Sequence, residues 1–117
     1  MKMNGDIFPS RVEVDWISTE TGNIVIITQK KFKPFEKRIA SLLGAPTSVR
    51  RPLDEMNSKL WILMDGINSM EQIILEMDRT FEEKIAPVSE RVSRSVAKFI
   101  ELGLVTLQLE KSENVGE

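Results

Sequence analysis

The sequence predicts an α+β domain in which a small antiparallel sheet packs on a three-helix bundle. Three observations indicate this class. Two short strand patterns flank a turn near the N-terminus, three helical patterns follow in the second half, and the strands lie too close together in the chain for parallel crossovers. With 117 residues, we expect a single domain over residues 11–109, with flexible ends at residues 1–10 and 110–117.

Residues 12–29 predict a β-hairpin. The segment VEVDWI, residues 12–17, alternates apolar and acidic side chains with the period of two that is typical of a half-buried strand. Gly22 and Asn23 tolerate positive φ and indicate a turn. The segment IVIITQ, residues 24–29, is rich in β-branched residues and therefore predicts the returning strand.

An inserted helix and a short third strand are predicted next. The helix covers residues 35–43, because apolar residues recur there at helical spacing, at Phe35, Ile39, Leu42 and Leu43. Pro34 suits its first turn and Gly44 suits its C-terminal exit. Residues 47–51 predict the third strand. Pro52 lacks an N–H, so it ends the pairing there or holds the strand at a sheet edge.

The first helix of the bundle is expected over residues 58–64. Asn57 is the expected N-cap, because its side chain can accept a hydrogen bond from the first turn. Asp65 and Gly66 end the helix, with Gly66 free to adopt a left-handed conformation. Trp61 is interpreted as a residue that covers one flank of the core, and an exposed anchor for a partner is the alternative.

Two more helices and a final strand complete the prediction. Ser69 and Gln72 have the spacing of a capping box at the start of the second helix. Pro87 suits the first turn of the last helix, which runs to about Leu102. The alternating segment at residues 104–110 predicts a final strand or wing.

Three cations share one side of the last helix. On a helical wheel, Arg91, Arg94 and Lys98 lie together beside the apolar stripe. They suit either an acidic peptide or the phosphates of DNA. Glu90 lies four residues before Arg94 and Glu101 three residues after Lys98, so intrahelical ion pairs and a merely solvated face are the alternative.

The composition excludes several classes of function. The chain has no Cys, His or Tyr, which removes disulfides, thiolate and imidazole chemistry, a phenolic acid and the common soft-metal ligands. The remaining carboxylates are scattered, so we expect no enzyme, no cofactor and no metal. No apolar run is long enough for a membrane span or a signal peptide, so we expect a cytoplasmic protein without membrane contact.

The net charge of −2 is unevenly distributed. Residues 1–51 carry nine Lys or Arg against five Asp or Glu, whereas residues 52–117 carry seven against thirteen. The run KKFKPFEKR, residues 30–38, interleaves cations with aromatic rings as nucleic-acid surfaces do. However, a pI of about 5.3 disfavours a protein whose affinity rests mainly on phosphate contacts.

The segments LDEMNSKLWILMDGINSMEQIILEMDRTF and PVSERVSRSVAKFIELGLV, within residues 53–105, resemble the PqqD family of PQQ-synthesis proteins. The resemblance covers about half of the chain, and the upstream hairpin fits the family in kind but not in sequence. The matching features are a Leu-Asn-like start, a helix that ends in Asp-Gly, a Ser-started helix with an Ile pair, and a closing Gly-Leu-Val. Here they are Met56-Asn57, Asp65-Gly66, Ser69 with Ile73-Ile74, and Gly103-Leu104-Val105.

The resemblance implies a winged-helix-like peptide-recognition domain. Family members bind the leader part of a ribosomally made precursor peptide and present it to a modifying enzyme, often a radical-SAM maturase. The leader adds a strand to the edge of the third strand, beside the last helix, which is strand augmentation. Carried over to this chain, the implied peptide-binding residues are Val49, Arg50, Arg51, Arg91, Arg94, Ser95 and Lys98.

The predicted helix at residues 35–43 departs from the family pattern, which joins the second and third strands more directly. It raises the question whether the insertion covers the binding groove. The main hypothesis is thus a non-catalytic peptide-binding module. A winged-helix nucleic-acid binder that uses the last helix and residues 30–38 is the alternative, and a purely structural subunit is a third. An exposed sheet edge also invites self-pairing, which makes a homodimer a further option.

Overall fold

The computed structural model describes residues 7–29, 33–44 and 48–112. Over these residues the chain forms an α+β fold, and this part of the prediction is confirmed. A short 3-10 helix, Glu82–Ile85, precedes the last helix. The strands and α-helices in chain order are β1 (Phe8–Arg11), β2 (Asp15–Ser18), β3 (Ile24–Gln29), α1 (Pro34–Leu42), β4 (Ser48–Pro52), α2 (Glu55–Leu63), α3 (Met70–Phe81), α4 (Val88–Glu101) and β5 (Val105–Gln108).

The predicted hairpin and third strand form one antiparallel sheet with the order β2-β3-β4. Ile26, at the centre of β3, pairs with Trp16 on one side and Arg51 on the other. The first strand of the hairpin was predicted to begin at Val12, but it begins at Asp15. The reason is that the Val12 N–H donates to the Leu104 carbonyl at 3.0 Å, outside this sheet.

A second, two-stranded sheet pairs β1 with β5 in antiparallel register, with Phe8 opposite Gln108. The predicted final strand is confirmed over residues 105–108. Its partner β1 was not predicted, because residues 1–10 were expected to be flexible and the domain to begin at residue 11. Residues 8–11 instead form this strand, whereas residues 1–6 and 113–117 of the expected ends lie outside the described residues.

The cap of α2 differs from the prediction. The helix begins at Glu55, and Asp54 Oδ1 accepts a hydrogen bond of 2.8 Å from the Asn57 N–H. Asn57 is therefore not the N-cap but lies inside the first turn. Asp54 is also favoured as the N-cap because its negative charge lies next to the positive end of the helix dipole. The capping box of α3 is confirmed, since Ser69 and Gln72 exchange two hydrogen bonds.

The core lies between the three-stranded sheet and helices α2 to α4. Trp61 of α2, predicted to cover one flank of the core, is fully buried within it and is therefore not an exposed anchor. Its ring meets Trp16 edge-on, with 6.4 Å between ring centroids, and Phe99 of α4 at 5.5 Å. Other members of the core are Ile24, Ile26, Leu60, Met64, Met70, Ile73, Met77, Phe81, Ile85, Val92, Val96, Leu104 and Val105.

The corner between α2 and α3 is held by Asp65 and Gly66. Asp65 Oδ1 accepts hydrogen bonds from the N–H groups of Ile67 and Asn68 at 2.8 and 2.9 Å. Gly66 has the predicted positive φ, of 78°, and its N–H donates to the Pro9 carbonyl at 2.8 Å. The turn therefore ends a helix and also ties the helical bundle to β1.

The predicted inserted helix is confirmed as α1, and Gly44 follows it with a φ of 71°. The apolar stripe that predicted the helix is not buried, however. Its side chains are exposed, and Ala40 is the buried residue of this helix. The periodicity of an apolar stripe predicts which face is apolar, but the partner of that face depends on tertiary placement.

Candidate peptide-binding groove

Strand β4 is an edge strand. Within the described residues it pairs with β3 alone, so its other side is open. The Leu53 N–H donates to the Ile24 carbonyl at 2.8 Å and continues the register of the β3–β4 ladder. Alternate residues of an antiparallel strand point their N–H and C=O groups toward the same neighbouring strand. Since Leu53 bonds to β3, the N–H and C=O groups of Arg51 and Val49 also point toward β3. Arg50 and Pro52 turn theirs toward the open edge.

This parity explains the position of Pro52. A proline in a sheet is tolerated where its missing N–H would face away from the ladder, and Pro52 occupies such a place at the end of β4. The open edge therefore presents the N–H and C=O of Arg50 and the C=O of Pro52. These groups can accept a further strand through main-chain hydrogen bonds.

The side chains of Arg50 and Arg51 lie on opposite faces of the sheet. Directly paired residues share a face, and Arg51 pairs with Ile26, which is fully buried in the core. Arg51 thus lies on the face that packs on the helices. Arg50 pairs with Ile27, which in turn pairs with Asp15, so Arg50 lies on the outer face of the sheet.

An open pocket of about 190 Å³ lies between β4 and α4. It brings together three of the predicted site residues, Arg51, Ser95 and Lys98. The base and the wall are largely apolar and include Leu53, Phe99 and Leu102. The lining is completed by Pro52 and Asn57.

The other predicted residues are not part of this lining. Val49 shares the helix-facing side of β4 with Arg51, two residues away. On α4, Arg91 lies about 40° from Ser95 around the helix axis, and Arg94 lies about 40° from Lys98, each one turn earlier. Both therefore lie one turn beyond the pocket, and the side chain of Arg94 is mostly exposed and pairs with Glu90.

Both predicted intrahelical ion pairs of α4 are confirmed. Arg94 Nη2 lies 3.0 Å from Glu90 Oε1, and Lys98 Nζ lies 3.0 Å from Glu101 Oε1. All four side chains are largely exposed, so these pairs contribute little to stability and can exchange for a ligand charge. Lys98 can therefore swing from Glu101 toward an acidic group in the adjacent pocket.

The floor of the pocket is anchored in the core. Phe99 lines the pocket and packs against Trp61. The indole Nε1 of Trp61 is buried and has no hydrogen-bond acceptor among the described residues. Because both tryptophans of the chain, Trp16 and Trp61, belong to this aromatic group, a ligand that moves Phe99 changes the intrinsic fluorescence.

A buried serine fixes the end of the sheet that forms the groove wall. Ser58 Oγ accepts a hydrogen bond of 2.8 Å from the Ile24 N–H and lies 3.4 Å from the Leu53 carbonyl, to which it donates. It joins β3 and the end of β4 to α2. Neither Ser58 nor Asn57 was predicted at the site. Asn57 was interpreted as the helix cap, and its place in the pocket lining was therefore not considered. Its amide Nδ2 donates to Asp54 Oδ1 at 3.0 Å.

The described residues contain no cluster of three or more His, Cys, Asp or Glu side chains that could hold a metal ion. None of the helices in the same part of the chain has the length and apolar character needed to cross a membrane.

No protein-family model, no curated protein and no solved structure matches the chain. The likeness to the PqqD family therefore rests on the residues quoted above.

Proposed function

We propose that this chain is a non-catalytic peptide-binding module that takes up an extended peptide as an additional strand on the open edge of β4. One observation carries the proposal. The backbone groups of Arg50 face the open edge, while Arg51, Ser95 and Lys98 line a pocket directly beside it. Main-chain hydrogen bonds supply affinity in such an arrangement, and the pocket selects the side chains.

The proposed ligand is the leader of a ribosomally made precursor peptide, which the module presents to a modifying enzyme such as a radical-SAM maturase. This ligand class follows from the resemblance to the PqqD family, as does a winged-helix-like arrangement of α2, α3 and α4 against the sheet. The lining favours a leader with an apolar side chain against Phe99 and an acidic one near Arg51 and Lys98.

The inserted helix does not line the pocket of the proposed site. No residue of α1 is part of the pocket lining, which comes from β4, α2, α4 and the residues that adjoin them. A ligand side chain can therefore occupy this pocket without displacement of α1.

The nucleic-acid alternative has less support. The exposed pairs of Arg94 and Lys98 with Glu90 and Glu101 can exchange for a phosphate as readily as for a peptide carboxylate, so they do not decide between the two functions. Of the basic run, residues 30–32 lie outside the described residues, and Lys33, Lys37 and Arg38 belong to the start and body of α1. Phosphate-driven binding also has a signature, because affinity for duplex DNA then falls steeply with salt.

A binding selection tests the proposal. Peptides are selected from a random display library on the immobilised protein, and the affinity of the best sequence is measured by fluorescence anisotropy. We expect the double substitution Arg51→Glu and Lys98→Glu to weaken binding at least about tenfold, which is about 1.4 kcal/mol. Arg94→Glu is the matched control, since Arg94 is an equally exposed cation of α4 outside the pocket, and it should change affinity less than about twofold.

Two outcomes contradict the proposal. One is a selected peptide that binds the double variant as tightly as the unaltered chain. The other is salt-dependent binding of duplex DNA that competes with the peptide for Arg51 and Lys98, which would favour the nucleic-acid alternative.

A further inference from the structure

Helix α1 turns an apolar stripe toward solvent. Phe35 is 73% exposed, Leu42 80% and Leu43 78%, and Ile39 between them is 42% exposed. These side chains follow the helical period and cover one side of the helix, whereas Ala40, the buried residue of α1, lies about 110° from the middle of the stripe. Together they expose on the order of a few hundred Å² of apolar surface, the size of the largest patch on a typical monomer, which is often functional.

We propose that this stripe packs against the same stripe of a second copy of the chain, so that two α1 helices lie side by side in a parallel pair. The charges that border the stripe are the reason. Arg38 lies on one side of it and Glu36 on the other, about 160° apart around the helix axis.

A parallel two-fold pair places opposite charges face to face. The two-fold axis then runs parallel to the helices, so the Arg38 side of one stripe meets the Glu36 side of the other. Each Arg38 therefore faces a Glu36 of the second copy. An antiparallel pair would place Arg38 beside Arg38 and Glu36 beside Glu36. Glu36 is also held in place, because its Oε1 accepts a hydrogen bond of 3.0 Å from the Lys33 N–H.

The open edge of β4 is a poorer surface for self-association. An antiparallel pair of β4 strands centred on Arg50 would place two Arg50 side chains directly opposite each other, and like charges in that position are destabilising. Pro52 also offers no donor along that edge. The dimer interface includes neither β4 nor α4, so this proposal can be tested independently of the proposed peptide binding.

The size of the stripe predicts a weak complex. A stable interface buries about 800 Å² on each partner, which is more than α1 alone presents. We therefore expect an equilibrium between monomer and dimer that depends on protein concentration.

Sedimentation velocity of the full chain, from about 10 μM to about 1 mM, tests this inference in the range where weak interfaces associate. We expect the unaltered chain to shift toward dimer over this range, and Leu42→Glu to weaken the dimer at least about tenfold. Leu75→Glu is the matched control, because Leu75 is also 63% exposed but lies on α3. It should leave the equilibrium unchanged. An unaltered chain that stays monomeric at about 1 mM, or a Leu42→Glu variant that dimerises equally well, overturns the proposal.

Charge reversal tests the parallel orientation. Arg38→Glu and Glu36→Arg should each weaken the dimer, and the two together should restore it, because the opposite charges then face each other again. Circular dichroism checks that α1 persists when Glu36→Arg removes the bond to Lys33. Equal dimerisation of Arg38→Glu and the unaltered chain, or a double variant no better than the single ones, contradicts the parallel pair.

Discussion

Arg11 caps the C-terminus of α2 through Trp61: its guanidinium Nη1 donates a hydrogen bond of 2.7 Å to the Trp61 carbonyl. The same nitrogen lies 3.0 and 3.2 Å from the carbonyls of Ile62 and Met64. The Trp61 carbonyl also accepts from the Met64 N–H at 3.3 Å, and the Met64 carbonyl from the Arg11 N–H at 3.1 Å. The guanidinium therefore adds a charged donor to these carbonyls and supplies one to the Ile62 carbonyl. Arg11 belongs to β1, and the contact therefore joins the β1–β5 sheet to the helical bundle.

The surroundings of Arg11 are aromatic. Its guanidinium lies 5.6 Å from the ring centroid of Trp16 and 5.9 Å from that of Trp61. Desolvation by burial lowers the pKa of Arg11, and the charge of Asp65 opposes this shift by raising it. Arg11 nevertheless remains charged, as arginine does in proteins.

Arg11→Met should lower the free energy of unfolding by about 2–4 kcal/mol. The substitution keeps the apolar stem but removes the charged donor Nη1, whose shared contacts count as about one charged hydrogen bond of about 1.5–3 kcal/mol, and the cation–π contacts. Urea unfolding followed by tryptophan fluorescence measures the change. Arg94→Met, at an exposed position of α4, is the control and should stay within about 0.5 kcal/mol. Equal losses in the two variants would contradict the capping role.

Gly66→Ala should destabilise the protein by at least about 1 kcal/mol more than Gly22→Ala. Both glycines have positive φ, 78° and 88°, so both substitutions incur the same backbone strain. A Cβ at Gly66 would also lie 2.5 Å from Ser112 Oγ and 3.1 Å from Ser10 Oγ, whereas a Cβ at Gly22 has nothing within 4 Å. Thermal unfolding of the two variants gives the difference.

The Gly66 carbonyl provides a second readout of the same contact. It accepts a hydrogen bond of 2.8 Å from the Ser112 N–H. We expect Gly66→Ala to speed the hydrogen exchange of the Ser112 amide, and Gly22→Ala to leave it unchanged. Similar stability of the two variants together with an unaltered Ser112 amide would show that residue 112 does not pack on this turn.

Glu76→Gln should destabilise the protein at neutral pH but not in acid. The hydrogen bond from Arg79 holds the pKa of Glu76 below its ordinary value, and Lys59 of α2, whose Nζ lies 3.6 Å away, adds to this effect. A carboxyl with a lowered pKa contributes stability above its unfolded pKa, and this contribution is lost as the pH falls through the folded pKa.

Urea midpoints of Glu76→Gln and the unaltered chain, measured at about pH 7 and about pH 3, test this prediction. The two proteins should differ at the higher pH and converge at the lower one. A difference that is the same at both values would mean that Glu76 acts through packing rather than through its charge.

Local pattern was sufficient to predict much of the fold. The β-branched run of β3, the capping box at Ser69 and the left-handed Gly66 are each determined within a few residues, and all are confirmed. Strand β1 could not be predicted in this way. The segment FPSR contains a proline and no alternation, and it becomes a strand because it pairs with β5, which lies at the other end of the chain.

The candidate site shows the same division. Sequence reasoning named Arg51, Ser95 and Lys98, which the structure brings to one pocket. It could not tell which of Arg50 and Arg51 has its side chain on the helix-facing side of the sheet. That depends on the register of β4 against Ile27 and Ile26 of β3. A shift of the register by one residue would exchange the two side chains. In the local sequence Pro52 opposes such a shift, because its missing N–H would then face β3.

Hydrogen exchange at Arg50, measured by NMR with and without a selected peptide, tests the central claim most directly. The Arg50 N–H faces the open edge of β4, and the Arg51 N–H already faces β3. A peptide that adds as a strand should slow the exchange of the Arg50 amide at least about tenfold and leave that of Arg51 nearly unchanged. A saturating peptide that leaves the Arg50 amide in fast exchange would contradict strand addition at β4.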